Sequence, residues 1–505
     1  MKKTRIISLL LATVMCLGLL ASCGDGRGGG NDGGDRVGDG WEGVNFEEQE
    51  VIFCVSRHQT PECLFPAADR YTKGPDNAAG DKILQAVLKR NREAEETLNV
   101  KVTYETRNLY YDEAIDDVRD IVATASKNSP DIYNNDCASL AYSMVSGYLW
   151  NVKNAGEGIK NYFDFEKDGW YLEFIKGCTF DQDKYYIFAG DYFIDMIRMA
   201  WVIYVNNDIL EGNAKAFPNW AKTPDQFYEH VEQGYWDIDD MITLSSAVFS
   251  DSTGSEVSGG ADRGDERVGF AYVGNSDWVF SAASGITVYY QDKKDGYTPK
   301  VIDDINDYIK VANKYKDLIN HPSVYFEQAT LSSTECFLQG NFLFAISRLG
   351  EMESEALRNF EYSKSLVPVP KWDANKQTDY LTVVHDQVEI GVILNTAKAF
   401  SAASALMQYL NEESSDVIYT YYEEGLKFRF NEDNNTRIMM DLVRDTIDSP
   451  FGFQIGDHCE ELYTGTGKLD RLYIETENIS SMYASNKQAY KNCMQEMIEK
   501  FKGLE

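Results

Sequence analysis

Between residues 51 and 150, short apolar runs alternate with amphipathic stretches, and this alternation constrains the fold more than any other feature of the chain. VIFCV (Val51–Val55) is an apolar run suited to a buried strand. After a polar loop, DKILQAVLKRNREAEETL places Ile83, Leu84, Val87, Leu88 and Leu98 near one helical face. NVKVTYE alternates Val100, Val102 and Tyr104, as a strand does. YYDEAIDDVRDIVATASKN returns to a helical pattern, and SPDIYNND reads as a turn followed by a strand end. LAYSMVSGYLWNV predicts a helix closed by Gly147. Strands separated by helices need crossover connections, so this order predicts an α/β fold with an open, mostly parallel sheet flanked by helices. Ligands of such sheets gather at the carboxyl ends of the strands.

The pattern resumes further along. RMAWVIYVNNDIL reads as a strand leading into a helix. TPDQFYEHVEQGYWDIDDMITLSSAV offers Thr223 as an N-cap, with Pro224 at the first helical position. TECFLQGNFLFAISRLG predicts a helix, a break at Gly340, then a strand, and SLVPVPKW predicts a loop. VEIGVILNTAKAFSAASALMQYLNEESSDVIYTYYEEG predicts a strand and a long helix ending at Gly425. From Leu469 to Phe501 the chain reads as largely helical. A chain of 505 residues is too long for one ordinary domain and suits two lobes.

The amino terminus is of another kind. Lys2, Lys3 and Arg5 lead an apolar run from Ile6 to Ala21. The run falls short of the ~20 residues that span a bilayer comfortably. A basic start, an apolar middle and a small-residue exit read as a signal peptide over residues 1–22. The exit, Leu20-Ala21-Ser22-Cys23, resembles the bacterial lipobox, whose cysteine is lipidated and becomes the first residue of the mature chain. Two acyl chains on Cys23 would anchor stably where one is marginal. From Gly24 to Gly40, nine of seventeen residues are glycine. With nothing apolar to bury, this stretch reads as a flexible tether, assigned to residues 23–46. The expected location is the outer face of a bacterial cell membrane.

The formal net charge is −33, and removing the basic leader makes it more negative. Such a surface repels phosphates, and no basic patch interrupts it, which argues against a nucleic-acid partner. Cys54, Cys63, Cys137, Cys178, Cys336, Cys459 and Cys493 remain beyond the leader and Cys23. They show no CxxC or paired metal spacing, which leaves a Cys54–Cys63 bridge and scattered free thiols both open. No HExxH, Walker A loop or GxSxG elbow occurs, so neither a metal nor another cofactor is expected. Two carboxylates could still make a surface glycoside hydrolase among 81 acidic residues, although no motif singles out a pair.

Six stretches, in order, resemble one family. DIYNNDCASLAYSMVSGYLWNV, MIRMAWVIYVNNDILE, TPDQFYEHV, FLQGNFLFAI, LVPVPKW and GVILNTAKAFSAASALMQYLNEESSDVIYTYYEEG are similar to segments of extracellular solute-binding protein family 1, the maltose-binding-protein-like lipoproteins of ABC importers. The resemblance spans about Val51 to Phe501. It implies a type II periplasmic-binding-protein fold, with lobe one over 47–193 and 386–446, lobe two over 198–366 and 449–501, and a ligand cleft between them. It implies no catalysis. It further implies a monomer whose partners are a small-molecule ligand, an oligosaccharide foremost, and the permease subunits in the membrane. A polyamine or basic peptide is the alternative ligand for so acidic a chain. Where relatives carry an acidic loop, SDSTGSEVSGGADRGDERVGF lacks the spacing of a calcium site around Asp251, Asp262, Asp265 and Glu266.

Candidate ligand contacts follow from the expected cleft edges. After the first strand come Arg57 and His58, and after the third Asn134, Asn135 and Asp136. The first crossing offers Asp191 and Tyr192. In lobe two, GNSDWVFSAASG offers Asp277 and Trp278, and ISRLG offers Arg348. His385 and Asp386 stand at the return crossing, with Phe451 and Phe453 beyond. A pyranose lays its C–H face on an aromatic ring while its hydroxyls bond to Asp, Asn and Arg, so this inventory suits a sugar. Each residue has a plainer reading. Trp278 is balanced between platform and packing, Trp201 and Phe193 suit packing near the hinge, Trp150 and Trp170 suit a core, Arg348 could bridge carboxylates, and His385 could be an interlobe histidine.

Overall fold

The computed structural model describes residues 40–58, 81–109, 113–126, 128–250, 267–273, 277–292, 295–327, 332–385, 388–429, 434–448 and 478–504. The leader, Cys23, most of the expected tether, the acidic loop 251–266, Asp386, Phe451 and Phe453 lie outside the described residues.

In chain order the main elements are β1 (Gln49–His58), α1 (Lys82–Leu98), β2 (Val100–Leu109), α2 (Ala114–Thr124), β3 (Ile132–Asp136), β4 (Trp201–Asn206), α3 (Pro224–Glu232), α4 (Ile238–Val248), β5 (Val268–Val273) and α5 (Asp277–Ala283). There follow β6 (Tyr289–Asp292), β7 (Thr298–Val301), α6 (Asn306–Ile319), β8 (Val324–Glu327), β9 (Phe342–Arg348), β10 (Lys364–Pro368), β11 (Glu389–Ile393), α7 (Phe400–Glu412), α8 (Asn434–Asp445) and α9 (Ile479–Lys502). Local chemistry accounts for their limits. Asp81 caps α1 by accepting the amides of Ile83 and Leu84, and Leu84, Val87, Ala94 and Leu98 turn its apolar face inward. Thr223 caps α3 with Pro224 at its start, as the sequence predicts.

Two open sheets form, ordered β11-β3-β1-β2 and β10-β4-β9-β5-β8, and β6–β7 is a separate hairpin. Each open sheet is parallel except for one strand: β11 runs against β3, and β4 runs against both β9 and β10. The cause is topological. Both odd strands are fed by chain arriving from the other sheet, which enters at the carboxyl edge of the parallel set and must run back through it.

Three segments pass side by side between the sheets. Phe188 and Gly391 exchange backbone hydrogen bonds of 2.8 and 2.9 Å. The amides of Trp201 and His385 donate to Val383 and Met199, both at 2.9 Å. Thr382 donates to Thr446 at 2.9 Å and accepts from Asp448 at 3.1 Å. Gly391 admits no side chain, because a Cβ there would stand 2.1 Å from the Phe188 ring. Beside these crossings, α8 packs on β10 and α3. Its Arg444 pairs with Asp191 at 3.2 Å.

Four expectations need correction. SLVPVPKW is not all loop, since its first residues lie in β10. That strand pairs only with β4, so Pro368 lacks no required partner at this edge. The helix expected to close at Gly147 is one turn, Cys137–Leu140, followed by 3₁₀ geometry over Ala141–Val145. There Ser143 and Ser146 hydroxyls bond back to carbonyls three residues earlier and compete with the helical pattern. The long helix does not run to Gly425. α7 stops at Glu412, and π-helical turns over Tyr419–Arg429 carry Gly425 in their middle. The tether gives way to packed chain before residue 46, because Trp41 stacks on Tyr162 at 6.0 Å and donates from Nε1 to Glu412 at 3.0 Å.

Cys54 is free and buried within β1, so it forms no bridge to Cys63. Cys137, Cys178 and Cys336 are also free and buried. Cys493 is disulfide-bonded. Its partner lies outside the described residues.

Candidate functional site

The carboxyl edges of the two sheets are where a ligand cleft belongs. On the second sheet, Trp201 opens β4 opposite Arg348, the last residue of β9. Trp278 is the second residue of α5, just beyond β5. His385 lies on the return crossing. These residues converge. The His385 ring stacks on Trp201 with centroids 5.6 Å apart and planes 21° apart. Trp278 meets Trp201 edge to face at 6.1 Å and His385 at 6.4 Å. Beside them Arg348 donates to Glu351 at 3.0 Å. Burial pushes the Glu351 carboxyl above its ordinary value, even against the lowering effect of Arg348.

One atom in this group stands out. The indole N–H of Trp201 is buried, with the residue only 8% exposed, and it has no hydrogen-bond partner among the described residues. A buried indole N–H ordinarily finds an acceptor, and leaving a donor unpaired costs about 1–3 kcal/mol. By sequence, Trp201 suits packing near the hinge, and Trp278 is balanced between an open platform and packing. Trp278 proves to be 7% exposed and packed on its neighbours. The signal that points to Trp201 is topological: the first residue of a strand fed by a crossing segment sits at the cleft edge.

The remaining candidates fall into three groups. Arg57 and His58 end β1, Asp277 begins α5, and the side chains of all three lie outside the described residues. Asn134 and Tyr192 are buried and spend their polar atoms on each other and on the fold. Tyr192 donates to Asn134 Oδ1 at 3.0 Å, and Asn134 donates to Glu389 at 2.8 Å. Asp136 is buried at the end of β3 opposite Glu389. Asp191 accepts from Tyr171 and from Arg444, each at 3.2 Å. Burial raises its pKa more than the guanidinium lowers it. The structure therefore gathers Trp278, Arg348 and His385 around Trp201, and holds Asn134, Asp191 and Tyr192 in internal contacts beside the first crossing.

Sequence reasoning also missed a buried ion network. Arg198, on the first crossing, donates to Glu353 at 2.8 and 3.2 Å and to Asp195 at 3.4 Å. Tyr421 completes it by donating to Glu353 at 2.6 Å. Among the described residues no cluster of His, Cys, Asp or Glu could hold a metal ion, and no helix is long and apolar enough to cross a membrane.

No family model matches the chain, and no curated protein sequence does. Solved structures do match over nearly its whole length. The galacto-N-biose/lacto-N-biose I-binding protein of the ABC transporter from Bifidobacterium longum, in complex with lacto-N-biose, is 12% identical, with a TM-score of 0.52 and coverage of 89% of this chain and 98% of its own. An extracellular solute-binding protein from Staphylococcus aureus, in complex with maltose, is 11% identical, with a TM-score of 0.50 and coverage of 90% and 97%. An ABC-transporter-associated binding protein from B. animalis subsp. lactis, in complex with β-1,6-galactobiose, is 10% identical, with a TM-score of 0.50 and coverage of 89% and 98%. All three are named as binding proteins. Two open sheets joined by crossing segments give this chain the two-lobed α/β fold of the solute-binding proteins of ABC transporters.

Proposed function

We propose that the chain is the lipid-anchored substrate-binding component of an ABC importer, and that it captures an oligosaccharide between its two lobes. The observation that carries the ligand site is the buried, unpartnered indole N–H of Trp201 within a group of aromatic rings at the cleft edge. A sugar oxygen would satisfy that donor, and the pyranose C–H face suits the rings around it. Arg348 and Glu351 supply further polar atoms beside it. Neighbours of the same fold that bind lacto-N-biose, maltose and β-1,6-galactobiose support the choice of a sugar. The lobes would follow the sheets, with the crossing segments as the hinge. The signal peptide and Cys23 would hold the protein at the outer face of the membrane.

A thermal-shift screen against oligosaccharides, amino acids and polyamines tests the ligand class. A bound ligand raises the melting temperature by mass action, about 2.7 kcal/mol at a hundredfold excess over the dissociation constant. The oligosaccharides should give the shift, and a shift confined to polyamines would replace this reading. For the anchor, Cys23→Ser should abolish labelling by palmitate. Equal label in variant and wild type would refute lipidation at that residue.

A further inference from the structure

We infer that the β6–β7 hairpin and the carboxyl-terminal helix α9 form a strap that ties the two lobes together in addition to the crossing segments and limits how far they open. The hairpin belongs by connectivity to the second sheet. It lies between α5, which follows β5, and α6, which packs on α4 and β8. Yet its tip reaches chain built onto the first sheet. Gln291 donates to the carbonyl of Lys176 at 2.8 Å and also to that of Thr179. Lys176 in turn places its ammonium over the Tyr297 ring, 6.0 Å from the centroid. The stretch 149–190 is fastened at both ends to β11 and the residue that follows it, through the Leu149–Leu394 and Phe188–Gly391 bridges. Lys176 and Thr179 therefore move with the first sheet.

The helix α9 repeats the connection along its length. Its first half holds the hairpin side. Tyr483 donates to the carbonyl of Ile302, Lys487 and Lys491 pair with Asp303 at 3.2 and 3.1 Å, and the Tyr490 ring meets Tyr289 at 6.2 Å. Its last turn holds the other side. Phe501 stacks on Phe180 at 5.0 Å and meets Tyr186 edge to face at 5.5 Å. Beyond it, Leu504 lies against Gly147 and accepts from the Lys184 ammonium. Twenty-four helical residues make a rod of about 36 Å, long enough to touch both partners at once. Hydrogen bonds along the crossing segments leave a hinge free to bend, whereas a rod packed on both sides of it resists rotation.

The test is the distance between the lobes, read by pulsed electron spin resonance on the full-length protein in detergent. Genetically encoded spin labels would sit at the exposed positions Lys101 on β2 and Lys310 on α6. In wild type the ligand-free distribution should be single and narrow. Phe501→Ala should lengthen and broaden it, and Phe501→Tyr should restore it. Should Phe501→Ala fail to fold, Gln291→Ala decides, because it cuts the hairpin from Lys176 and Thr179 without touching the core. It should widen the distribution in the same direction by less. A cooperatively folding variant whose distribution matches wild type would overturn the strap. So would a wild-type distribution already broad enough to cover open lobes. Neither outcome depends on which ligand the cleft takes.

Discussion

Trp170 and Trp201 are both buried, 7% and 8% exposed, and both sit among aromatic rings, yet they play opposite parts. Trp170 donates from Nε1 to Gln408 at 3.1 Å. Gln408 also accepts the Asp164 amide at 2.9 Å and donates to Glu412 at 2.9 Å. Around that network Phe163, Phe165, Phe188 and Tyr192 pack their rings against Trp170. The Trp201 ring is as enclosed, but its donor is unmet among the described residues. The Trp150 indole N–H is also buried without a partner among the described residues, so the open donor marks Trp201 only together with its place at the cleft edge. Burial alone does not separate Trp170 from Trp201; the hydrogen-bond account and the position at the strand edge together do.

The comparison breaks most visibly under truncation. Trp170→Ala should cost about 3–5 kcal/mol of stability, measured by denaturant unfolding, because it removes a large buried ring and strands the Gln408 network. A loss below about 1 kcal/mol would show that the Trp170 cluster is not core in the sense argued here. A gentler change sharpens the contrast. Phenylalanine at either site keeps an apolar ring and deletes the donor. Trp170→Phe should destabilise by more than Trp201→Phe, since only the first breaks a hydrogen bond worth about 1 kcal/mol. Equal losses would remove the distinction between the two residues.

The smallest effect lies beside Trp201. Glu351 is buried, and its carboxyl titrates above its ordinary value of 4.5. The folded chain therefore takes up that proton at higher pH than the unfolded chain does. The stabilising contribution is complete below the unfolded value and is lost as pH rises through the folded one. Glu351→Gln should accordingly match wild type in acid and gain melting temperature near neutral pH. A variant that loses stability at neutral pH would show that the Arg348 pair outweighs burial.

Much of this was legible in the residues. The first sheet could be read because Val51–Val55, the α1 face and the Val100–Tyr104 alternation are local patterns of the right period. β10 could not, because Pro368 at its end and Pro370 just beyond hide a strand that only an edge position tolerates. The long helix was misread past Glu412 because the π-helical turns leave no distinctive spacing in the sequence. Strand ends and crossings single out Arg348, Trp278 and His385, and the structure brings these three together around Trp201. Trp201 reads as packing in the sequence because its character depends on a missing partner, and partners distant in sequence leave no mark in it. The ties Gln291–Lys176 and Phe501–Phe180 join residues more than a hundred positions apart and were invisible for the same reason.

The most direct test of the central claim is calorimetry of wild type and Trp201→Phe against the oligosaccharide that gives the largest thermal shift, with the sugar recovered and analysed afterwards. Wild type should bind the intact glycan with no product released, and Trp201→Phe should bind roughly fivefold more weakly at an unchanged melting temperature, the loss of one buried donor worth about 1 kcal/mol. Equal affinity in the two proteins, or a glycan returned as cleaved product, would contradict that claim.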